Sequence, residues 1–269
     1  MYFYLYDSFL NNSKYEKELS EIENYLTDLG ISGMIERVSL FKNIKDILNS
    51  AAKKGAKTIV IVGNDKTFRE AINFIPDFKI TFGFIPVGEP SYIAQFLGIR
   101  EGLEACDTLS ARMIEKIDVG KITTESEDNH EPSSTKYFLG AVVIPKTLIK
   151  MKCNEAYSII LKEIGNITIC NTPFSEEIEE YKDEYLDPRD GKLDVFISTS
   201  PSSIFKKVRW LFGKNDFSNR SHFIVEKIKI ESEKDIQLFI DKTKTEAKKI
   251  EIGIAEEKIR LIIGKERLF

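Results

Sequence analysis

Two histidines, one tryptophan and three cysteines in 269 residues leave several kinds of chemistry short of material. His130 and His222 stand far apart, so a zinc site or a histidine-based triad is poorly supplied. Cys106, Cys153 and Cys170 are odd in number and match no C-x-x-C spacing. They read as reduced thiols, and with no signal peptide at the N-terminus the expected compartment is the cytoplasm. No run approaches the roughly 18 uncharged apolar residues of a membrane span. Neither sign of charge dominates: 39 Lys+Arg against 43 Asp+Glu give a formal net charge of -4. That argues against a sequence-nonspecific nucleic-acid partner. What is present, 42% apolar and 30% charged residues, is the composition of an ordinary globular protein. The length suits one large domain or two modest ones.

The chain has two textures and no internal repeat. Up to about Glu115, short apolar runs alternate with amphipathic stretches. Strands are predicted at Tyr2–Tyr6, Ile35–Leu40, Thr58–Val62 and Thr81–Ile85. Helical spacing joins them: Leu19 to Leu29 stopped by Gly30, Ile44 to Ala51 stopped by Gly55, and Thr67 to Phe74. The order β-α-β-α-β-α-β predicts a parallel sheet with helices on both faces, with ligands beyond its carboxyl edge near residues 63–67 and 86–92. After Ile117 the runs are short and β-rich: 121–123, 137–144, 156–161, 166–170, 193–198, 223–230 and 250–254. They predict a mostly antiparallel sandwich or barrel. The expected fold is therefore an N-terminal three-layer α/β/α domain over residues 1–115, followed by an antiparallel β-sandwich domain over residues 116–269. The polar stretch 125–135 reads as an exposed hairpin tip.

One turn has the makings of a phosphate site. Ile59-Val60-Ile61-Val62-Gly63-Asn64-Asp65-Lys66-Thr67 runs from a strand through a glycine turn directly into a helix. Such a turn aims backbone N–H groups and a helix N-terminus at one spot. Asn64 tolerates left-handed conformations better than most residues. Lys66 either reaches phosphate, with Arg69 as a second cation, or plugs the space. Thr67 to Glu70 also reads as a capping box, which satisfies the helix with no ligand at all.

These residues resemble the G-G-D-G-T-x-x-E signature of the diacylglycerol kinase and lipid kinase family, related to NAD kinases and phosphofructokinases. Gly63, Asp65, Thr67 and Glu70 keep the pattern, while Asn64 and Lys66 replace glycines. Gly83 to Ile99 resembles the family's G-x-I-P-x-G-T-x-N-D-x-A-x-x-L-G-I, keeping Pro86, Gly88 and Gly98, with Glu89 and Ser91 in place of Thr and Asn. Leu186 to Val195 resembles its D-G-x-L-D-V element. The Pro86-x-Gly88 turn and that element favour the lipid-kinase branch over NAD kinase. The family's Asn-Pro turn after the first strand is here Asp7-Ser8-Phe9-Leu10-Asn11. Its late D-G-E motif, whose glutamate is the catalytic base, aligns with Asp241-Lys242-Thr243, and Glu246 is the nearest stand-in.

The resemblance implies ATP-dependent phosphoryl transfer to a lipid hydroxyl of the diacylglycerol type. The nucleotide would bind at Gly63, Asn64, Asp65, Lys66, Thr67, Glu70 and Gly88. Asp65, Asp190 and Glu246 would serve catalysis, and Asp187 and Asp190 would hold Mg2+, with Asp194 as a further carboxylate nearby. Pro188 to Gly191 also has ordinary hairpin chemistry. A non-catalytic nucleotide- or lipid-binding pseudokinase, or a kinase of NAD or another soluble alcohol, are the alternatives. Expected partners are a nucleotide and a lipid substrate at a membrane surface, and a homodimer is left open. Ile204 to Lys214, rich in aromatic and basic residues, suits either a membrane interface or a helix covering the β domain.

Overall fold

Hydrophobic periodicity becomes structure in the order it predicts. The computed structural model describes residues 1–75, 77–125, 134–147, 150–160, 165–172, 187–199 and 220–269. The aromatic run forms β1 (Tyr2–Tyr6). α1 (Glu16–Asp28) buries Leu19, Ile22 and Leu26, and Gly30 follows it at φ 68°. β2 (Met34–Arg37) is shorter than the predicted 35–40, because the chain turns back through a Ser39–Lys42 bridge. α2 (Ile44–Lys53) starts at Asn43, whose side chain accepts the Asp46 N–H at 2.9 Å. Then come β3 (Thr58–Gly63), α3 (Asp65–Asn73), β4 (Thr81–Pro86), α4 (Tyr92–Leu97), α5 (Leu103–Ala111) and β5 (Ile114–Ile117). β3 and β4 are buried along their whole length, as a strand covered on both faces must be. α1 packs with α5 and α2 with α3, two groups that right-handed crossovers put on opposite faces of the sheet.

The β-rich region contains β6 (Gly120–Glu125), β7 (Ser134–Phe138), β8 (Ala141–Thr147), β9 (Lys150–Cys153), β10 (Tyr157–Ile160), β11 (Gly165–Cys170), β12 (Leu193–Thr199), β13 (Arg220–Val225), β14 (Lys227–Ile240) and β15 (Thr243–Ile254). All their pairings are antiparallel, in the order β13-β12-β11-β8-β14-β15-β6-β7, with β9 on β14 and β10 on β9. Alternate residues such as Ile122, Val142, Ile167, Val195, Leu238 and Ile252 meet in one apolar cluster. The predicted runs 137–144 and 223–230 each divide into two strands. Residues 126–133, 173–186 and 204–214 lie outside the described residues, and with them the expected polar tip, most of the acidic run and the aromatic-basic segment.

The division at residue 115/116 needs one correction. β16 (Ile259–Ile262) lies parallel to β4 and antiparallel to β5, so the first sheet runs β2-β1-β3-β4-β16-β5. The last residues, Ala255–Phe269, therefore belong to the same compact unit as Met1–Val119, together with the stretch ending at Arg189. The second unit is correspondingly shorter and ends at Ile254. The physical reason is pairing: among the described residues β5 pairs with β16 alone.

Candidate ligand site

Strand order reverses at β1, with β2 on one side and β3 and β4 on the other. In open parallel sheets the ligand crevice lies beyond the carboxyl ends at such a reversal. Here those ends are Tyr6–Asp7 and Gly63–Asn64. The Asp7 N–H donates to the Val62 carbonyl at 3.0 Å, which holds the two ends level. Buried Thr67, in the first turn of α3, donates its hydroxyl to Asp7 Oδ2. Asp7 Oδ1 accepts the Phe9 N–H at 3.2 Å and the Ser8 hydroxyl at 3.1 Å. One carboxylate thus caps the short 3-10 turn at Ser8–Asn11 and also faces the start of α3. Asp7 entered the sequence reading only as a departure from the family pattern. An Asp directly after a strand, followed by Ser, is an Asx-turn signal that could have flagged it.

The glycine turn itself differs from expectation in two respects. Asn64 is extended at φ -109°, not left-handed, and its side chain accepts the Thr67 N–H at 3.1 Å. Asn64 is therefore the N-cap, and α3 begins at Asp65, two residues before the predicted start. Thr67 to Glu70 is not the capping box. Gly63 is required by close approach: a Cβ there would lie 2.9 Å from Thr67 Oγ1 and 3.2 Å from Asp7 Cβ.

Asp65 faces α4. It accepts the Ser91 hydroxyl and the N–H groups of Tyr92 at 3.1 Å and Ile93 at 3.4 Å. Arg69 adds an ion pair at 3.6 Å, the side chains being 7% and 15% exposed for Arg69 and Asp65. Ser91 is the N-cap of α4, accepting the Ala94 N–H at 2.9 Å. Lys66 and Glu70 are exposed, and neither pairs with another described residue. Gly88, at φ 102°, needs its glycine for the backbone angle. A Cβ there would also meet the Tyr15 hydroxyl at 3.2 Å and the Phe9 ring at 3.5 Å. Those two rings stand edge to face at 5.3 Å. Gly63, Asn64, Asp65, Thr67 and Gly88 are brought to one sheet edge, since Gly63 pairs with Pro86 and accepts the Val87 N–H at 2.9 Å.

The remaining predicted residues are spread over both units. Both oxygens of Asp187 are taken by the Arg189 guanidinium, at 2.8 and 3.3 Å, and this hydrogen bonding holds its carboxyl below the usual aspartate range. Asp190 is exposed and accepts the Lys192 N–H at 2.9 Å, beside Gly191 at φ 75°: a turn residue. Asp194 pairs with His222 at 2.7 Å. Among the described residues no group of three metal-ligating side chains comes together. A guanidinium across Asp187 does not fit a Mg2+ held by Asp187 and Asp190. Asp241 accepts three backbone N–H groups, from Leu139, Gly140 and Ala141 at 3.0–3.1 Å. Lys242 follows at φ 72°, and Thr243 and Glu246 are exposed, with Glu246 paired to Lys244 at 3.0 Å. Asp65 and Glu246 lie in different units. One ion pair escaped the sequence reading: Asp118, 2% exposed, meets Lys258 at 3.0 Å.

Residues 2–122 match the family model of the diacylglycerol kinase catalytic domain. A diacylglycerol kinase structure from Bacillus anthracis is similar over 99% of this chain and 98% of its own, with a TM-score of 0.72 at 16% identity. The yeast NADH kinase complexed with NADH is similar over 99% of this chain and 84% of its own, with a TM-score of 0.66 at 9% identity. At those identities the likeness is one of fold. No curated protein sequence matches the chain significantly. Over residues 2–122 this chain is similar to the diacylglycerol kinase catalytic domain, and over its whole length it shares the fold of the diacylglycerol kinase and NADH kinase structures.

Proposed function

We propose that this chain is a non-catalytic branch of the lipid-kinase fold, a binding protein that does not transfer a phosphoryl group. The observation that carries this reading is Asp7, whose carboxylate meets Thr67 at the β1/β3 reversal, where the fold would otherwise receive phosphate. Two like charges about 4 Å apart repel by about 4 kcal/mol at an effective dielectric of 20. Partial exposure of Asp7 lowers that figure, and it still opposes a polyphosphate. Three further features support the reading. Asp65 is committed to α4 and Arg69, Thr243 stands where the family's base would be, and Asp187 is held by Arg189.

The test combines labelled ATP, offered with diacylglycerol, a lipid extract and NAD as acceptors, with a Mg-ATP thermal shift. No transfer and no shift are expected for the native chain. Asp7→Asn should raise ATP affinity about tenfold to a hundredfold by removing the charge and keeping a hydrogen-bond acceptor. Acceptor phosphorylation by the native chain would overturn the reading.

A second reading, ATP-dependent phosphorylation of a lipid hydroxyl, is favoured by one feature: the strand-turn-helix at Gly63–Asp65 is intact, with Lys66 exposed beside it. Label appearing in the lipid fraction selects it, and label appearing in NAD selects a soluble-alcohol kinase.

A further inference from the structure

Between the end of β1 and the start of α1 the chain makes two short 3-10 turns, Ser8–Asn11 and Ser13–Tyr15. Their main-chain bonds are local. Leu10 N–H donates to the Asp7 carbonyl at 3.2 Å, Asn12 N–H to the Phe9 carbonyl at 3.2 Å, and Tyr15 N–H to the Asn12 carbonyl at 3.0 Å. Single bonds of this kind, with no ladder or long helix behind them, belong to the part of a structure that opens most easily. Leu10, 2% exposed, is the segment's buried anchor.

The side chains of this segment reach across the sheet edge. β3 lies between β1 and β4. Asp7, at the end of β1, stands against Gly63 at the end of β3 and accepts the Thr67 hydroxyl. Phe9 and Tyr15 go further and lie against Gly88, two residues beyond β4. A chain that leaves β1 and touches the loop after β4 has crossed the end of β3, which is where the glycine turn opens into α3. Gly88 lets the two rings close down on bare backbone, since any Cβ there would hold them off. Phe9 and Tyr15 are half-buried and brace each other edge to face.

We propose that residues 8–15 form a strap over the glycine turn of α3, latched by Asp7 on Thr67 and by Phe9 and Tyr15 on Gly88, and that an anion reaches the turn only when the strap lifts. This deepens the non-catalytic reading of the crevice and rests on it: the Asp7 charge opposes a polyphosphate, and the strap withholds the space. A strap open about one hundredth of the time weakens binding about a hundredfold.

The experiment is calorimetric titration of the full chain with inorganic tripolyphosphate, alongside hydrogen exchange of the strap amides. No heat of binding is expected from the native chain at millimolar tripolyphosphate. Phe9→Ser removes one half of the far latch and keeps the Asp7 charge. It should bind at least about tenfold more tightly than the native limit, and the Leu10 and Asn12 amides should exchange at least about tenfold faster, with the β1 amides unchanged. Tyr15→Ala cuts the latch from the other ring and should have the same two effects. If either variant folds and binds tripolyphosphate no better than the native chain, the strap is overturned, while the non-catalytic reading stands on the Asp7 charge alone. Tighter binding without faster exchange at Leu10 and Asn12 would place the gain outside the strap and overturn it too. Phosphorylation of an acceptor by the native chain would instead overturn the non-catalytic reading, and the strap with it.

Discussion

The carboxylate of Asp241 satisfies three main-chain donors at once, those of Leu139, Gly140 and Ala141, where the chain passes from β7 to β8. The resemblance to the lipid kinases marks Asp241 as the surviving residue of a catalytic motif. Its hydrogen bonds give it a structural task that needs no substrate. Asp241→Ala leaves buried N–H groups without acceptors, at about 1–3 kcal/mol each. A total loss of about 3–5 kcal/mol is expected in a urea titration, with Asp241→Asn losing less because one amide oxygen still accepts. Glu36 illustrates a second residue-scale effect. Burial raises its pKa, but hydrogen bonds from the ammonium groups of Lys42 and Lys54 outweigh burial and hold it below the ordinary glutamate value. A carboxylate with a depressed folded pKa contributes stability above its unfolded pKa, and this is lost as pH falls through the folded value. Glu36→Gln should therefore reduce the acid sensitivity of the thermal midpoint below the ordinary glutamate range and leave its direction unchanged elsewhere.

Helix and strand types in the first unit were legible because their periods are long and regular, yet the ends that matter for the site were not. α3 starts at Asp65 because Asn64 caps it, whereas the sequence offers Thr67 with Glu70 as an equally good start. Only the three-dimensional proximity of Asp7 and Ser91 shows what Thr67 and Asp65 bond to. Neither partner is near in sequence, so no local pattern could have named it. The C-terminal segment of the chain shows the same limit. The Gly264 N–H donates to the Leu97 carbonyl at 2.8 Å, and Leu268 N–H to the Phe96 carbonyl at 3.0 Å. Phe269 stacks on Phe96 at 4.7 Å. A Cβ at Gly264 would overlap the carbonyl oxygen of Gly98, a backbone atom that cannot turn aside. Gly264→Ala is expected to cost about 3 kcal/mol by forcing the chain away from the end of α4. Thermal melting reads this loss, and Lys265→Ala, a neighbouring exposed change, should leave the midpoint close to native.

Across the whole molecule, the fold class was readable because alternating α and β texture dictates a parallel sheet, and period-two texture an antiparallel one. Chain return was not readable. Ile259–Ile262 is a four-residue apolar run like several in the second unit, and nothing in its own composition says that its partners are β4 and β5. That placement makes the first unit discontinuous, so its stability depends on residues at the far end of the sequence. Removing residues 255–269 deletes the strand between β4 and β5, taking from β5 its one partner among the described residues and exposing the flank of β4. It also takes Lys258 from buried Asp118, a pair at 3.0 Å. These losses fall on a margin of about 5–15 kcal/mol that holds a typical domain. A chain ending at Ile254 should therefore lose the protection of the β3 and β4 amides in hydrogen exchange. The same chain supplemented with a separate peptide of residues 255–269 should recover part of that protection, because the missing strand pairs through main-chain bonds that do not need a covalent link. Full amide protection of β3 and β4 in the truncated chain would show that β16 is an ornament on a sheet complete without it.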